Sequence, residues 1–306
     1  MAKVLIATDK PFASAAVKGI REIVENAGME LKLLEKYTEK SQLLEAVADV
    51  DAVIIRSDII DAEVLDAAKN LKIVVRAGAG YDNVDLDAAR GHNVCVMNTP
   101  GQNANAVAEL VFGMLIYAVR NLFNGTSGSE LKGKTLGILA YGNVGRNVAR
   151  IAKGFEMEVY AYDAYTSKEA IEKDGVKAVG STEELFRTCQ IVSLHIPATA
   201  ETKGSINFDL MKSMPTGAVV VNTARKEVMD EAGLEKMFAE RPDFKYMSDI
   251  KPAIDGELNA QYPGRYFATP KKMGAQTAEA NINAGLAAAN QIVDFLQNGN
   301  DRYRVN

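Results

Sequence analysis

The chain has 306 residues, 47% of them apolar, and a formal charge of −5 with an isoelectric point near 5.3. That length fits roughly two domains of about 150 residues, each with apolar residues enough for its own core. The charge balance excludes a general nucleic-acid or membrane-surface binder, because both need an excess of Lys and Arg. The longest apolar stretch, Ala104–Val119, is interrupted by Asn105 and Glu109. It falls short of the roughly 20 residues that span a bilayer, so it reads as a buried helix.

Met1 to Thr8 enters directly as a strand, without the basic stretch, apolar core and cleavage site of a secretory leader, which points to the cytoplasm. Val- and Ile-rich runs at 3–8, 31–35, 52–56, 72–76 and 94–98 alternate with helix-period segments at 15–27, 41–48, 62–69 and 85–91. Such alternation predicts a parallel sheet covered by helices on both faces. A helix is expected over 103–120, followed by a polar segment at 124–129. The alternation then restarts at Thr135, with strands expected at 135–140, 157–162, 176–179, 190–195, 218–223, 245–249 and 265–268. A last helix over 277–298 ends at Gly299, where glycine relieves a left-handed cap, and can carry the chain back to the first domain. Cys95 and Cys189 lie in strand-like runs and read as buried free thiols. With His92 and His195 the only histidines, spacing assembles no metal-ligand cluster, and no metal is expected.

The sharpest local signal is the run from Leu136 to Arg146, an apolar strand entering a glycine turn that opens a helix. It is nearly a dinucleotide fingerprint, in which one glycine lets the backbone approach a pyrophosphate and the next permits close helix–strand packing. Gly142 and Gly145 fill those two places, with Tyr141, Asn143 and Val144 completing the turn; the first glycine place holds Ala140. Asp163 ends the next strand 18 residues after Gly145, where an acidic residue bonds the ribose hydroxyls and repels a 2′-phosphate. No arginine follows closely, so NAD is expected over NADP.

With those residues in place, the chain resembles the D-isomer-specific 2-hydroxyacid dehydrogenases, and within them the short D-3-phosphoglycerate dehydrogenases that lack a regulatory tail. The resemblance runs through Val75-Arg76-Ala77-Gly78-Ala79-Gly80-Tyr81-Asp82, Asn98-Thr99-Pro100-Gly101, the fingerprint, Leu194-His195-Ile196-Pro197, Asn222-Thr223-Ala224-Arg225, and Thr269-Pro270 with Gly274-Ala275. It implies a flavodoxin-like substrate domain (1–98 plus 289–306), a Rossmann NAD domain (99–288), an interdomain cleft that closes on the substrate, and a homodimer. It places Arg225 on the substrate carboxylate, as suits a permanently charged guanidinium that forms paired hydrogen bonds. It implies that the backbone of Gly78, Ala79 and Gly80 receives the same carboxylate. Asp249 matches an aspartate facing the nicotinamide end of the cofactor, while Ala224 and His195 match positions near the cofactor. His195 also reads as a packing residue, and His92 as a surface turn.

One departure bears on mechanism. The family's acid/base is a histidine after the Thr-Pro pair, steadied by an upstream glutamate; here the chain reads Thr269-Pro270-Lys271-Lys272-Met273-Gly274, and Ile254 stands where the glutamate would fall. The joint change suggests a substituted mechanism, since an amine needs no carboxylate to fix a tautomer. Counting back from Gly274 favours Lys272, and counting forward from Pro270 selects Lys271. For hydroxyl oxidation the amine must be neutral, so its pKa, ordinarily about 10.4, has to be lowered by partial burial and a neighbouring cation such as Arg225. Asp255 and Glu257 are weaker stand-ins for the absent glutamate.

The expected activity is NAD-dependent oxidation of D-3-phosphoglycerate to 3-phosphohydroxypyruvate, as in serine biosynthesis. Arg56, Ser57 and Arg76 are the candidate phosphate ligands, with Asp58 an unfavourable neighbour if it points inward. Two alternatives stay open: a reductase of another 2-keto acid such as glyoxylate or hydroxypyruvate, and a non-catalytic NAD-binding protein.

Overall fold

The computed structural model describes all 306 residues. They divide into two compact units, Met1–Asn103 with Gln276–Asn306, and Ala104–Ala275. No helix is long and apolar enough to cross a membrane.

The first unit runs β1 (Lys3–Thr8), α1 (Ser14–Asn26), β2 (Glu30–Glu35), α2 (Lys40–Val47), β3 (Ala52–Ile55), α3 (Ala62–Ala67), β4 (Ile73–Arg76), α4 (Leu86–Gly91) and β5 (Cys95–Asn98). Its strands are parallel and ordered β2-β1-β3-β4-β5, the flavodoxin-like order. Successive residues of each strand face opposite sides of the sheet, so one apolar run supplies two cores. Val4, Ile6, Ala52 and Ile54 pack with Ala16, Ile20 and Val24 of α1, while Leu5, Ala7, Val53 and Ile55 pack with α2 and α3 through Leu43, Val47, Val64 and Leu65.

The second unit opens with α5 (Ala104–Val119) and continues β6 (Thr135–Leu139), α6 (Asn143–Gly154), β7 (Glu158–Tyr162), α7 (Lys168–Lys173), β8 (Lys177–Ala178), α8 (Thr182–Thr188) and β9 (Ile191–Leu194). It ends with α9 (Phe208–Lys212), β10 (Val219–Asn222), α10 (Glu231–Glu240), β11 (Lys245–Ser248), α11 (Asp255–Gln261) and β12 (Tyr266–Ala268). All seven strands are parallel in the order β12-β11-β10-β9-β6-β7-β8, which from β6 outward is the Rossmann order with one strand added. Core residues of α5, α6 and α7 cover one face and those of α8, α9, α10 and α11 the other. Both units are therefore doubly wound α/β sheets, as the alternation predicted. The strand expected over 176–179 is reduced to the two residues of β8 at the sheet edge.

The last helix, α12 (Ala278–Asn298), belongs wholly to the first unit. The chain divides at 103/104 and 275/276, whereas the expected limits, 98/99 and 288/289, would cut α12 in two. Packing explains the difference: Ala284, Ala288, Ala289 and Ile292 of α12 share one core with α1. Small residues bring the two helices close. A Cβ added at Gly285 would lie 3.0 Å from Ile20 Cδ1 and 3.3 Å from Phe12 Cε1. Gly299 closes the helix in the left-handed conformation at φ 70°, as expected. Both cysteines are buried and unbridged.

A bulky side chain at position 285 has no room against α1. Gly285→Leu should lower stability by roughly 1–3 kcal/mol, the usual effect of overpacking, measured by urea unfolding; an unchanged midpoint would mean that α12 can slide on α1 without loss.

Candidate active site

In an open parallel sheet, ligands bind beyond the carboxyl ends of the strands, where connections leave toward opposite faces. In the second unit that point lies between β6 and β9, which pair directly. The turn after β6 carries the fingerprint. Ala140 adopts φ +76°, a strained conformation for a residue with a Cβ. A Cβ at Gly142 would meet nothing within 4 Å, so the backbone there is open to a large group. At Gly145 a Cβ would run into the carbonyl oxygen of Ala140 and lie 3.0 Å from Ile138 Cγ2, so only glycine lets α6 approach β6 this closely. Gly142 caps α6 without a side-chain bond, leaving the first N–H groups of that helix for an anion.

Asp163 follows β7. Its carboxylate accepts N–H bonds from Tyr141 (2.5 Å), Tyr165 (2.7 Å) and Thr166 (2.8 Å). Burial raises its pKa, but these backbone donors outweigh that and hold it below the ordinary carboxylate value. The Thr166 side chain bonds the same carboxylate, which is thus held ionised and fixed at the end of β7. This ring of donors, the open Gly142 and the tight Gly145 together fit a dinucleotide. The Tyr141 side chain takes no part: it is buried, its hydroxyl lies 3.2 Å from Asp174, and the Arg146 guanidinium stacks on its ring.

His195 extends β9, and its N–H donates to Leu139 C=O, beside the fingerprint turn. Part of the residue is accessible, but the ring is enclosed, with Nε2 2.9 Å from Ser193 Oγ, and burial pushes its pKa down to about 3. It stays neutral through the physiological range. His92 caps α4 at the surface, between Ala88 C=O and Asp66.

The ends of β10, β11 and β12 bring the other expected residues of this unit together. Asn222, the last residue of β10, bonds the backbone of Ala224 and Arg225. Arg225 is half-buried, with Nη1 3.0 Å from Ala224 C=O. Asp249, fully buried after β11, accepts from Thr269 Oγ1 (2.9 Å), Met273 N–H (2.7 Å) and Gly274 N–H (2.8 Å). Here the carboxylate expected to face the cofactor serves the loop that carries Lys271 and Lys272. Both lysines are exposed, which corrects the expectation of partial burial: the loop leaves the sheet edge after Thr269 and only Gly274 returns to the interior. Ile254 packs against the second core of this unit. Asp255 is held by Tyr266 Oη (2.8 Å) and Lys251 (3.2 Å), and Glu257 is exposed.

In the first unit Arg56 follows β3, half-buried, and its guanidinium donates to Lys10 C=O (3.0 Å), Pro11 C=O (3.3 Å) and Asn281 Oδ1 (2.6 Å) while lying over the Phe12 ring. It ties the loop after β1 to the first turn of α12. Ser57 is exposed. Arg76 Nε donates to Arg56 C=O (2.9 Å), and its guanidinium fills the space where a Cβ on Gly78 would go. Gly78 is buried, Ala79 exposed and Gly80 intermediate. Asp58 turns away from an anion-binding role: it accepts from Asp9 N–H (2.8 Å), Tyr37 Oη (2.8 Å) and Arg56 N–H (3.2 Å).

Three residues of the second unit were missed by sequence reasoning: Asn222, Ser193 and Thr269, all buried. The available signal was a polar residue inside or closing an apolar strand, as in Ile191-Val192-Ser193-Leu194 and Val219-Val220-Val221-Asn222, because a buried polar group has to be hydrogen-bonded to something specific.

Residues 116–253 match the family model for the NAD-binding domain of D-isomer-specific 2-hydroxyacid dehydrogenases. The chain is 33% identical to a hydroxypyruvate reductase of Thermotoga maritima over 289 residues, 87% of this chain and 92% of that protein. It is also 33% identical to a D-3-phosphoglycerate dehydrogenase of Archaeoglobus fulgidus over 319 aligned positions, 99% of this chain and 59% of the relative. The chain thus spans little more than half the length of that longer relative. Among solved structures, the NAD⁺-bound 3-phosphoglycerate dehydrogenase of Entamoeba histolytica is similar at 49% identity and a TM-score of 0.87, covering 100% of this chain and 98% of that one.

The fingerprint turn makes two stability predictions of opposite sign, both read by urea unfolding without cofactor. Ala140→Gly should stabilise by up to about 1 kcal/mol, the relief of left-handed strain less glycine's entropy. Gly145→Ala should destabilise by roughly 1–3 kcal/mol, because the obstruction is backbone and cannot swing aside.

Proposed function

Because the chain belongs to the D-isomer-specific 2-hydroxyacid dehydrogenases, we propose that it oxidises D-3-phosphoglycerate to 3-phosphohydroxypyruvate, with Arg225 on the carboxylate and Lys272 as acid/base. The observation that carries this reading is that Arg225 follows β10 and the lysine pair follows β12, either side of β11 at the carboxyl edge of the sheet that bears the fingerprint. The whole-length similarity to the Entamoeba histolytica enzyme supports the choice of substrate.

Bound NAD supplies the hydride acceptor. The backbone from Tyr141 to Gly145 receives the pyrophosphate, Asp163 a ribose hydroxyl, and Ala224, His195 and Asp249 border the nicotinamide end. The C2–H bond breaks with its electron pair leaving as hydride, the hydroxyl proton passes to the Lys272 amine, and the C2–O bond becomes a carbonyl. The Arg225 guanidinium holds the carboxylate and polarises the reacting oxygen, so that the protein contributes orientation and charge. An exposed amine is a poor base at neutral pH; the cofactor and substrate have to cover Lys272 for it to act. The resemblance assigns the backbone of Ala79 and Gly80 to the same carboxylate; Gly78, expected with them, donates its N–H to Arg76 C=O at 2.8 Å instead. Arg76, with Arg56 and Ser57 at the end of the adjacent strand β3, is the cation proposed for the phosphate.

A second reading, reduction of unphosphorylated hydroxypyruvate, is favoured by one observation: the Arg56 guanidinium is already engaged by two carbonyls and Asn281. The Thermotoga maritima reductase, similar over nearly its full length, is consistent with it. NADH formation from D-3-phosphoglycerate, D-glycerate and D-lactate separates the two. Preference for the phosphorylated acid, lost in Arg76→Ala, is expected; equal use of D-glycerate would transfer the assignment to the reductase.

Lys272→Ala should lower kcat by about 10²–10⁴, the range for removing a general base, with NAD affinity unchanged in a fluorescence titration. If Lys271→Ala has that effect instead, the neighbouring lysine is the base.

The base must be unprotonated for oxidation, so the rate should keep rising above the imidazole range near ~6.5 and into the range of amines. His195, held neutral with a pKa of about 3, supplies no limb between pH 5 and 8. A plateau reached by pH 7.5 would count against a lysine base.

A further inference from the structure

We infer that Asn222 is the positioning residue that sets Arg225 in the site, an inference that rests on the carboxylate-binding role proposed for that arginine. Asn222 is 1% exposed and closes β10, where its own carbonyl continues the sheet by accepting from Asp249 N–H at 2.9 Å. Its side-chain oxygen accepts from Ala224 N–H at 3.0 Å, and its side-chain nitrogen donates to Arg225 C=O at 3.0 Å. One amide thus brackets the two-residue segment from which the guanidinium projects, with an acceptor at one end and a donor at the other.

A carboxamide supplies both, on separate atoms. A carboxylate accepts but cannot donate, and an alkyl group does neither. The backbone N–H and C=O on either side also fix which way the amide is turned. Arg225 itself is extended, at φ −143° and ψ 143°, and its own side chain makes no capping bond to the short 3-10 turn Lys226–Val228 that follows. The conformation of the loop is therefore held from the strand end.

The amide is anchored in turn. Its nitrogen also donates to Tyr246 Oη at 3.2 Å, and Tyr246 Oη lies 3.4 Å from Ser248 Oγ, which donates to Ile250 C=O at 2.6 Å. All three side chains are buried, and burial keeps the phenol protonated by pushing its pKa up to about 12. These bonds lead away from the amide toward the segment after β11, whereas Ala224 and Arg225 are held by the amide directly.

The test compares Asn222→Asp, which keeps the acceptor for Ala224 and removes the donor to Arg225, with Tyr246→Phe, which removes the third contact and leaves both loop contacts. Each folded variant is assayed for KM and kcat with the 2-hydroxy acid, for inhibition by oxamate as a carboxylate probe, and for NAD affinity by fluorescence. Asn222→Asp should raise the substrate KM and the oxamate Ki by about tenfold or more, as misplacement of a binding group does, while NAD affinity stays within about twofold. Tyr246→Phe should change all of them by less than about threefold. Unchanged oxamate inhibition in Asn222→Asp overturns the inference, as does an equal loss of NAD affinity or an equal effect in Tyr246→Phe, either of which marks a general packing role. Arg225→Ala in the same assay separates the two levels. If it loses oxamate binding while Asn222→Asp keeps it, only the positioning role fails. If it too keeps oxamate binding, the carboxylate role fails and takes the positioning role with it.

Discussion

A carboxylate removed from water has to find donors within the protein, and Asp249 finds all three of its partners on a single loop. Thr269 at the start of that loop and Met273 and Gly274 at its end are pinned to the same two oxygens, with the lysine pair between them. The hydrogen bonds hold the loop's base while leaving its tip in solvent. The close fit around Gly274 depends on the same contact, since a Cβ there would sit 3.0 Å from Asp249 Oδ2 and 3.2 Å from Val107 Cγ2. The lysine pair thus stands on a loop whose two ends are fixed.

The parallel sheet makes this possible. Because every strand of the second unit runs the same way, the ends of β6, β7, β9, β10, β11 and β12 all lie on one edge, and the residues just past them are neighbours regardless of their distance in sequence. Asp163, His195, Arg225, Asp249 and the lysine pair occupy those ends. Buried polar groups at the same edge turn short irregular loops into fixed ones: Asn222 for the β10 loop, Asp249 for the β12 loop, and the three backbone donors on Asp163 for the β7 turn. The strands contribute hydrophobic burial, and the carboxyl edge spends part of it on enclosing polar side chains that packing alone would not select.

Much of this was legible before the structure because parallel strands buried on both faces leave an unbroken apolar signature: each run of Val and Ile became a strand within a residue or two. The fingerprint turn was legible in its glycine spacing because Gly145 has no room for a side chain beside Ala140 C=O, and Asp163 because it closes an apolar strand. What could not be read were contacts whose partners carry no side-chain signal. Arg56 looked like a phosphate ligand, yet it is held by two backbone carbonyls and by Asn281, 225 positions away. Asp249 stood out as an acidic strand end, but its own partners, two of them backbone N–H groups, left no mark in the sequence. The limit expected at 288/289 came from resemblance, whereas the small residues Gly285, Ala288 and Ala289 already marked a continuous face made to lie against another helix.

The same contrast bears on the proposed use of a lysine where the family has a histidine. An imidazole acting as acid/base needs its second nitrogen held so that tautomer and ring plane are defined, and a carboxylate partner usually does this. An ammonium group has equivalent protons and a flexible stem, so what it needs is a fixed point of attachment and surroundings that favour the neutral form. Asp249 supplies the attachment through the backbone of the loop. At the position where the resemblance puts a steadying glutamate stands Ile254, the residue that precedes α11, partly buried against the second core of this unit. If Lys272 is the acid/base, as proposed, no imidazole needs steadying, and a partly buried apolar residue at position 254 packs where a lone glutamate would still need a partner or water.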